Sequence, residues 1–128
     1  MGTTGSESGP GAGARRRRHA GAPATITRDD LWEALRRRAV TLVEALGPDY
    51  YADAHLPGAV NIPPHRVDTL AGSLLPDKAA MVVVYCSTSC TQSHETGRLL
   101  RAAGYTGVRI YEGGKEDWIE AGLPVERG

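Results

Sequence analysis

The stretch MVVVYCSTSCTQSHETGRLLRAAG, residues 81–104, decides the fold of this chain. Its first five residues, Met81–Tyr85, are apolar or favour β-structure, which predicts a buried strand. From Ser93 onward the spacing of the apolar residues predicts a helix that ends at Gly104. The predicted inner face of this helix consists of Leu99, Leu100 and Ala103.

Cys86 is the first residue of the short polar loop between that strand and that helix. At such a turn the backbone N–H groups converge near the positive end of the helix, where they attract anions and lower the pKa of a thiol. An unperturbed thiol, with a pKa of about 8.5, is mostly protonated at neutral pH, so this environment matters for reactivity. Cys86 is therefore a candidate nucleophile. The rest of the candidate active-site loop consists of Ser87, Thr88, Ser89, Cys90, Thr91 and Gln92.

The composition indicates one domain whose thiols do chemistry rather than staple the fold. A chain of 128 residues can bury one core, and its two cysteines lie too close in sequence to link distant segments. We therefore expect a cytoplasmic protein, with a monomer favoured. No apolar run is long enough to span a membrane, so no membrane association is expected. Acids and bases balance overall, but the chain after residue 24 is mildly acidic, which argues against a nucleic-acid partner.

Residues 1–24 differ from the rest of the chain in composition. They are mostly Gly, Ala, Ser, Thr and Pro around four arginines at residues 15–18, without a branched aliphatic or aromatic residue. Such a segment buries too little apolar surface to offset its chain entropy. We predict a disordered tail over residues 1–24 and one domain over residues 25–128. The arginines could form a basic patch for an anionic surface, although a solvated tail is favoured.

Strands and helices alternate along the predicted domain. Thr27 and Asp30 form a capping box for the first helix, and the helix over residues 66–75 should bury Val67, Leu70 and Leu74. This order is typical of an α/β protein with a mainly parallel sheet covered on both faces, whose ligands gather at the carboxyl ends of the strands. The predicted helices are residues 28–39, 49–54, 66–75, 93–103 and 115–121, and the predicted strands are residues 40–46, 59–62, 81–85 and 107–111.

Four segments in this order carry a resemblance to a known family. They are His55-Leu56-Pro57-Gly58-Ala59-Val60-Asn61-Ile62-Pro63, Tyr85-Cys86, Ala103-Gly104-Tyr105 with Val108, and Glu112-Gly113-Gly114 through Trp118 to Ala121-Gly122-Leu123-Pro124-Val125. Over about residues 26–126 the chain resembles the rhodanese-like family of single-domain sulfurtransferases. The resemblance implies a three-layer rhodanese-like fold with a central sheet of about five strands. It also implies that Cys86 accepts a sulfane sulfur as a persulfide and passes it to a thiol or cyanide, without a cofactor or metal.

Two departures from the family pattern bear on the substrate. Family members usually have Asp-x-Arg at the end of the first core strand, whereas this chain has Glu44 and Leu46 at those positions. The loop also lacks the glycine and arginine found in many members, and it is one residue longer before Ser93. The missing arginines would bind anionic thiosulfate, so we expect weak thiosulfate:cyanide turnover.

Three residues are predicted to support Cys86. Ser93 occupies the position of the family's loop serine. Glu44 is interpreted as an anchor for the loop backbone rather than as a general base, although a carboxylate beside the site could serve as either. His55 is interpreted as a structural residue that caps the bend near Glu44.

The sequence also bears on functions other than sulfur transfer. A phosphatase needs an arginine six residues after the cysteine, and Gln92 occupies that position, which excludes this class. A binding module that no longer turns over is an alternative, as is a redox switch that uses Cys86 and Cys90. The spacing of Cys86, Cys90 and His94 suggests zinc, but three ligands are too few for a structural site, so no metal is expected.

Overall fold

The computed structural model describes residues 24–88 and 91–128. The predictions for residues 1–23, for Ser89 and for Cys90 therefore lie outside the described residues. The described strands are β1 (Ala24–Thr25), β2 (Thr41–Glu44), β3 (Val60–Asn61), β4 (Met81–Tyr85) and β5 (Gly107–Ile110). The described helices are α1 (Arg28–Arg36), α2 (Pro48–Asp53), α3 (Val67–Leu74), α4 (Gln92–Ala102) and α5 (Gly114–Glu120), with a 3₁₀ turn at Pro64–Arg66.

The five strands form one parallel sheet in the order β1-β5-β4-β2-β3. The central strand β4 pairs with β2 on one side and with β5 on the other. Because all the strands are parallel, their carboxyl ends lie at one edge, and Cys86 follows β4 at that edge. The predicted α/β class and three-layer arrangement are confirmed.

Alternate residues of β4 supply two cores, one on each face of the sheet, as expected for a strand buried on both sides. Val82 and Val84 belong to the core that includes residues of α3 and α4, whereas Val83 and Tyr85 belong to the core that includes residues of α1 and α5. The two faces are therefore both covered by helices, and the sheet end that carries Cys86 lies between them.

The first helix begins as the sequence predicts. Thr27 is its N-cap residue, and its Oγ1 accepts a hydrogen bond from the Asp30 N–H at 3.1 Å. The helix ends earlier than predicted, at Arg36, because the chain turns at Arg38, which has a φ of 56°.

Two predicted core residues are wrong. Leu74 is 38% exposed, while Ala71 and Leu75 are buried, because α3 starts at Val67 and buries positions at i, i+4 and i+8. Ala103 is exposed, since α4 ends at Ala102 and the chain leaves the helix through Gly104, whose φ is 104°. Within the described part of the chain, no helix is both long enough and apolar enough to cross a membrane.

Candidate active site

The side chain of Cys86 is buried at the carboxyl edge of the sheet, with 1% of its surface exposed. Its Sγ lies 3.0 Å from the carbonyl oxygen of Thr88 and 3.6 Å from Oγ of Ser93. The structure holds Cys86 in a disulfide, so a Cys86 thiolate exists only in the reduced protein. In that state the Ser93 hydroxyl can donate a hydrogen bond to a thiolate, and the Thr88 carbonyl can accept the proton of a thiol.

Helix α4 begins six residues after Cys86 and brings its first turn next to the sulfur. Ser93 lies in that turn, so its hydroxyl reaches Cys86, and its side chain is buried there. Thr91 is the N-cap residue but makes no side-chain cap hydrogen bond. The positive end of an 11-residue helix therefore lies beside the cysteine, where it favours a thiolate over a thiol.

The main chain of the cysteine loop is bound to the start of α5. The Lys115 N–H donates to the carbonyl oxygen of Cys86 at 2.7 Å, and the Glu116 N–H donates to that of Ser87 at 2.8 Å. These donors belong to the first turn of a helix, where N–H groups have no partner within the helix. The first turn of α5 thereby fixes the two residues that begin the loop.

Gly114 allows this approach. Its φ is +74°, and a Cβ at this position would lie 2.7 Å from the Ser87 carbonyl oxygen and 2.8 Å from that of Cys86. A side chain would therefore be strained by the backbone conformation and would also collide with the loop.

Glu44 is fully buried, and its carboxylate contacts two side chains among the described residues, while its interpretation as an anchor for the loop backbone stays a prediction. Its Oε1 accepts a hydrogen bond from the Tyr85 hydroxyl at 2.9 Å, and its Oε2 accepts one from Lys115 Nζ at 3.0 Å. Burial and then the charge of Glu44 raise the pKa of Tyr85, so the hydroxyl remains a donor. Glu44 thus acts on the loop through two residues. Tyr85 precedes Cys86 in sequence, and the Lys115 N–H donates to the Cys86 carbonyl oxygen.

His55 has structural contacts, but they are not with Glu44. Its Nδ1 lies 2.8 Å from the Tyr51 carbonyl oxygen, and its ring stacks on the ring of Tyr51 with centroids 3.9 Å apart. Its main chain pairs with Glu126 in an isolated antiparallel bridge. His55 therefore ties the end of α2 to the segment after α5.

Two further residues from the sequence analysis have different environments. His94 is exposed, and its Nε2 lies 3.2 Å from the Glu112 carboxylate, which joins the first turn of α4 to the segment after β5. Leu46, at the family's arginine position, is buried. Among residues 24–88 and 91–128, no group of three metal-ligating side chains comes together.

Helix α5 has a second attachment on its outer side. Asp117 lies 3.0 Å from the Arg28 guanidinium at the start of α1, and the Tyr111 hydroxyl also donates to Asp117. The hydrogen bond from Tyr111, followed by the interactions with Arg28, lowers the pKa of Asp117. Burial, with the neighbouring Asp117, raises the pKa of Tyr111.

Lys115 is the site residue that the sequence analysis missed. It is buried, although lysine is almost never buried unless it is paired. The sequence did contain a signal, because Lys115 precedes the fully buried Trp118 by three residues and so shares its helix face.

The chain matches one protein-family model and is similar to known proteins. Residues 27–121 match the family model of the rhodanese-like domain. An HTH-type transcriptional regulator of Mycobacterium tuberculosis is 35% identical over 104 residues, which cover 80% of this chain and 45% of the regulator. The thiosulfate sulfurtransferase PspE of Escherichia coli is 37% identical over 69 residues, which cover 54% of this chain and 65% of that protein. The chain thus spans less than two thirds of the length of either relative.

The fold has a close counterpart among solved structures. A human single-domain sulfurtransferase matches with a TM-score of 0.68 at 24% identity, over 75% of this chain and 95% of that one. At this identity the match shows a shared fold.

Proposed function

The chain belongs to the family of rhodanese-like domains, and on that premise we propose that it is a sulfurtransferase that carries sulfane sulfur on Cys86. One observation carries the proposal: Cys86 Sγ lies at the carboxyl end of β4 with the Ser93 hydroxyl of α4 3.6 Å away. A thiolate at this point is favoured by the helix dipole and by the hydroxyl donor.

The proposed reaction has two displacement steps. The Cys86 thiolate attacks the outer sulfur of thiosulfate, the S–S bond of the donor breaks, and sulfite leaves with the bonding electron pair. Cys86 then carries a persulfide. The thiolate of an acceptor attacks the terminal sulfur, the Cys86 S–S bond breaks, and its electron pair regenerates the Cys86 thiolate while the acceptor leaves as a persulfide. Cyanide as acceptor would leave as thiocyanate by the same displacement.

The chain's own side chains favour slow use of thiosulfate. Leu46 supplies no charge where the family has an arginine, and the loop from Cys86 to Gln92 contains no cationic residue. A doubly charged donor therefore loses the bidentate recognition that arginine provides. We expect a donor without a sulfonate next to the transferred sulfur, such as a low-molecular-weight persulfide, to load Cys86 faster. The name of the Escherichia coli relative keeps thiosulfate among the donors to be tested. A reaction that uses thiolates needs reducing surroundings, so a cytoplasmic location remains part of the proposal.

The test is the intact mass of the reduced protein after incubation with thiosulfate and, separately, with glutathione persulfide. We expect a gain of one sulfur atom that dithiothreitol removes. Cys86→Ser should abolish the gain while the protein remains folded, and Cys90→Ser, which changes the chain's other cysteine in the same way, should retain it. Sulfur uptake by folded Cys86→Ser at the wild-type level would refute the assignment of Cys86. Uptake from the persulfide alone would restrict the function to relay between thiols.

A further inference from the structure

Lys115 connects the cysteine loop to Glu44 at the end of β2 and to the end of α2. Its main-chain N–H donates to the Cys86 carbonyl oxygen at 2.7 Å, so its backbone position determines where the loop begins. Its side chain extends away from the loop into the interior, and only 9% of that side chain is exposed. The two ends of one residue thus contact two different parts of the fold.

The ammonium group of Lys115 uses all three of its donors. Its Nζ donates to Glu44 Oε2 at 3.0 Å, to the Tyr50 carbonyl oxygen at 2.8 Å and to the Ala54 carbonyl oxygen at 2.5 Å. The two carbonyls lie at the C-terminal end of α2, where the helix dipole is negative, and the Tyr50 carbonyl also accepts the Ala54 N–H. The side chain is therefore held in one orientation by a carboxylate and a helix end.

A second chain of contacts runs from the same ion pair back to the cysteine. Glu44 accepts a hydrogen bond from the hydroxyl of Tyr85, the residue before Cys86, and that hydroxyl accepts one from the Leu56 N–H at 3.0 Å. Tyr85 and Cys86 are thus each bound to a member of the Lys115–Glu44 pair, one through its side chain and the other through its carbonyl.

We propose that Lys115 is a positioning residue for Cys86, and that its buried ion pair with Glu44 fixes both the place and the electrostatic environment of the thiolate. The inference rests on the proposed function in that Cys86 is taken as the reacting group. Lys115 touches no substrate and acts only through the loop and through Glu44.

Because the two members of the pair carry opposite charges, the direction in which Cys86 ionisation shifts should depend on which member is replaced. Loss of steric support alone would not produce opposite shifts. Loss of Lys115 leaves a buried carboxylate without its counter-ion, and loss of the Glu44 charge leaves a buried ammonium. A nearby negative charge disfavours a thiolate and a positive one favours it, so the two changes should act on Cys86 in opposite directions. Several other charged or titratable side chains lie on the elements around Cys86: Asp49, Tyr50, Tyr51 and Asp53 of α2, Tyr85 of β4, His94, Glu95, Arg98 and Arg101 of α4, Glu112 after β5, and Glu116, Asp117 and Glu120 of α5.

The experiment compares Lys115→Met, Glu44→Gln and Arg28→Met in a Cys90→Ser background, in which Cys86 is the one remaining cysteine of the chain. Arg28→Met is the matched control, because it also removes a cation that pairs with a carboxylate of α5, Asp117. Among the described residues, Arg28 forms no hydrogen bond or ion pair with the cysteine loop. Circular dichroism and urea unfolding establish that each variant is folded. The two readouts are the pH midpoint of Cys86 alkylation by iodoacetamide and the saturating rate of persulfide formation from glutathione persulfide.

We expect Lys115→Met to raise the pH midpoint by about half a unit or more and to lower the saturating rate about tenfold. Glu44→Gln should lower the midpoint, and Arg28→Met should leave both readouts at the wild-type values. Unchanged readouts in folded Lys115→Met would overturn the proposal. So would equal changes in Arg28→Met, or shifts of the same sign in Lys115→Met and Glu44→Gln, because those results indicate general loosening.

The test of Lys115 gives an answer even if the proposed sulfurtransferase function is wrong. If the Cys90→Ser protein accepts no sulfur, the proposed function fails, while the alkylation midpoints still decide whether Lys115 positions Cys86. If Lys115→Met does not fold, the milder Glu44→Gln decides, since a midpoint that does not fall in that variant overturns the proposal.

Discussion

Replacing Gly114 with alanine would measure how closely α5 approaches the cysteine loop. The new Cβ would lie 2.7 Å from the Ser87 carbonyl oxygen and 2.8 Å from the Cys86 carbonyl oxygen. Both neighbours are backbone atoms that cannot rotate away, so either the helix or the loop must move. The perturbation therefore acts directly on the two hydrogen bonds that join α5 to the loop.

The expected magnitude has two parts. A side chain in left-handed backbone conformation costs about 1–2 kcal/mol of stability, and forced overpacking adds about 1–3 kcal/mol. Gly122→Ala supplies the first part alone, because Gly122 has a φ of +77° and nothing within 4 Å of a Cβ. We therefore expect Gly114→Ala to lower the free energy of unfolding by about 2–5 kcal/mol and Gly122→Ala by about 1–2 kcal/mol.

The assay is urea unfolding of both variants, followed by the rate of persulfide formation under conditions where both are folded. Gly114→Ala should also slow sulfur uptake, because the loop must shift, while Gly122→Ala should leave the rate unchanged. Equal losses of stability in the two variants, together with equal rates of sulfur uptake, would refute the reasoning, since they would mean that the approach of α5 to the loop does not require glycine.

Three further predictions concern the supports of the fold, each measured by urea unfolding. Thr27→Ala should lower the free energy of unfolding by about 1 kcal/mol, because it removes the N-cap bond of α1; an unchanged value would contradict the cap. Tyr85→Phe should cost about 1–3 kcal/mol, since it leaves the Leu56 N–H and a Glu44 oxygen without their partner, and a neutral result would argue against that network. Because the pKa values of Tyr85 and Tyr111 are raised in the folded state, their contribution is fully present below about pH 10 and is lost as the pH rises above it. Stability should therefore fall as the pH rises above about 10, and less steeply in Tyr111→Phe; an equal slope in that variant would contradict the assignment.

The place of Cys86 between a strand and a helix could be predicted because that pattern is local in sequence. An apolar strand, a polar loop and a helical repeat follow one another within residues 81–104, and each has its own pattern. The N-cap of α1 at Thr27 is local in the same way, and it is confirmed.

The errors arise where a small change in geometry decides the outcome. Leu74 and Leu75 are adjacent leucines, and their burial depends on the residue at which α3 starts, which the 3₁₀ turn before it determines. Composition and spacing do not fix that start to within one residue.

The Lys115–Glu44 pair could not be found from local patterns. Its members are 71 residues apart and meet only because β2 and α5 dock beside the same end of β4. The helix face that Lys115 shares with Trp118 indicates its burial, but a buried lysine needs a partner for its charge, and no local pattern identifies Glu44 as that partner.

The contact between α5 and the loop also has a consequence for the order in which the protein is made. Synthesis proceeds from the N-terminus, so Cys86 leaves the ribosome before Gly114, Lys115 and Glu116 do. Until those residues arrive, the carbonyls of Cys86 and Ser87 lack the donors that hold them. A nascent chain that stops before α5 would therefore contain the reactive cysteine but not its supporting contacts. The supporting contacts of Cys86 can therefore form only after α5 has been made.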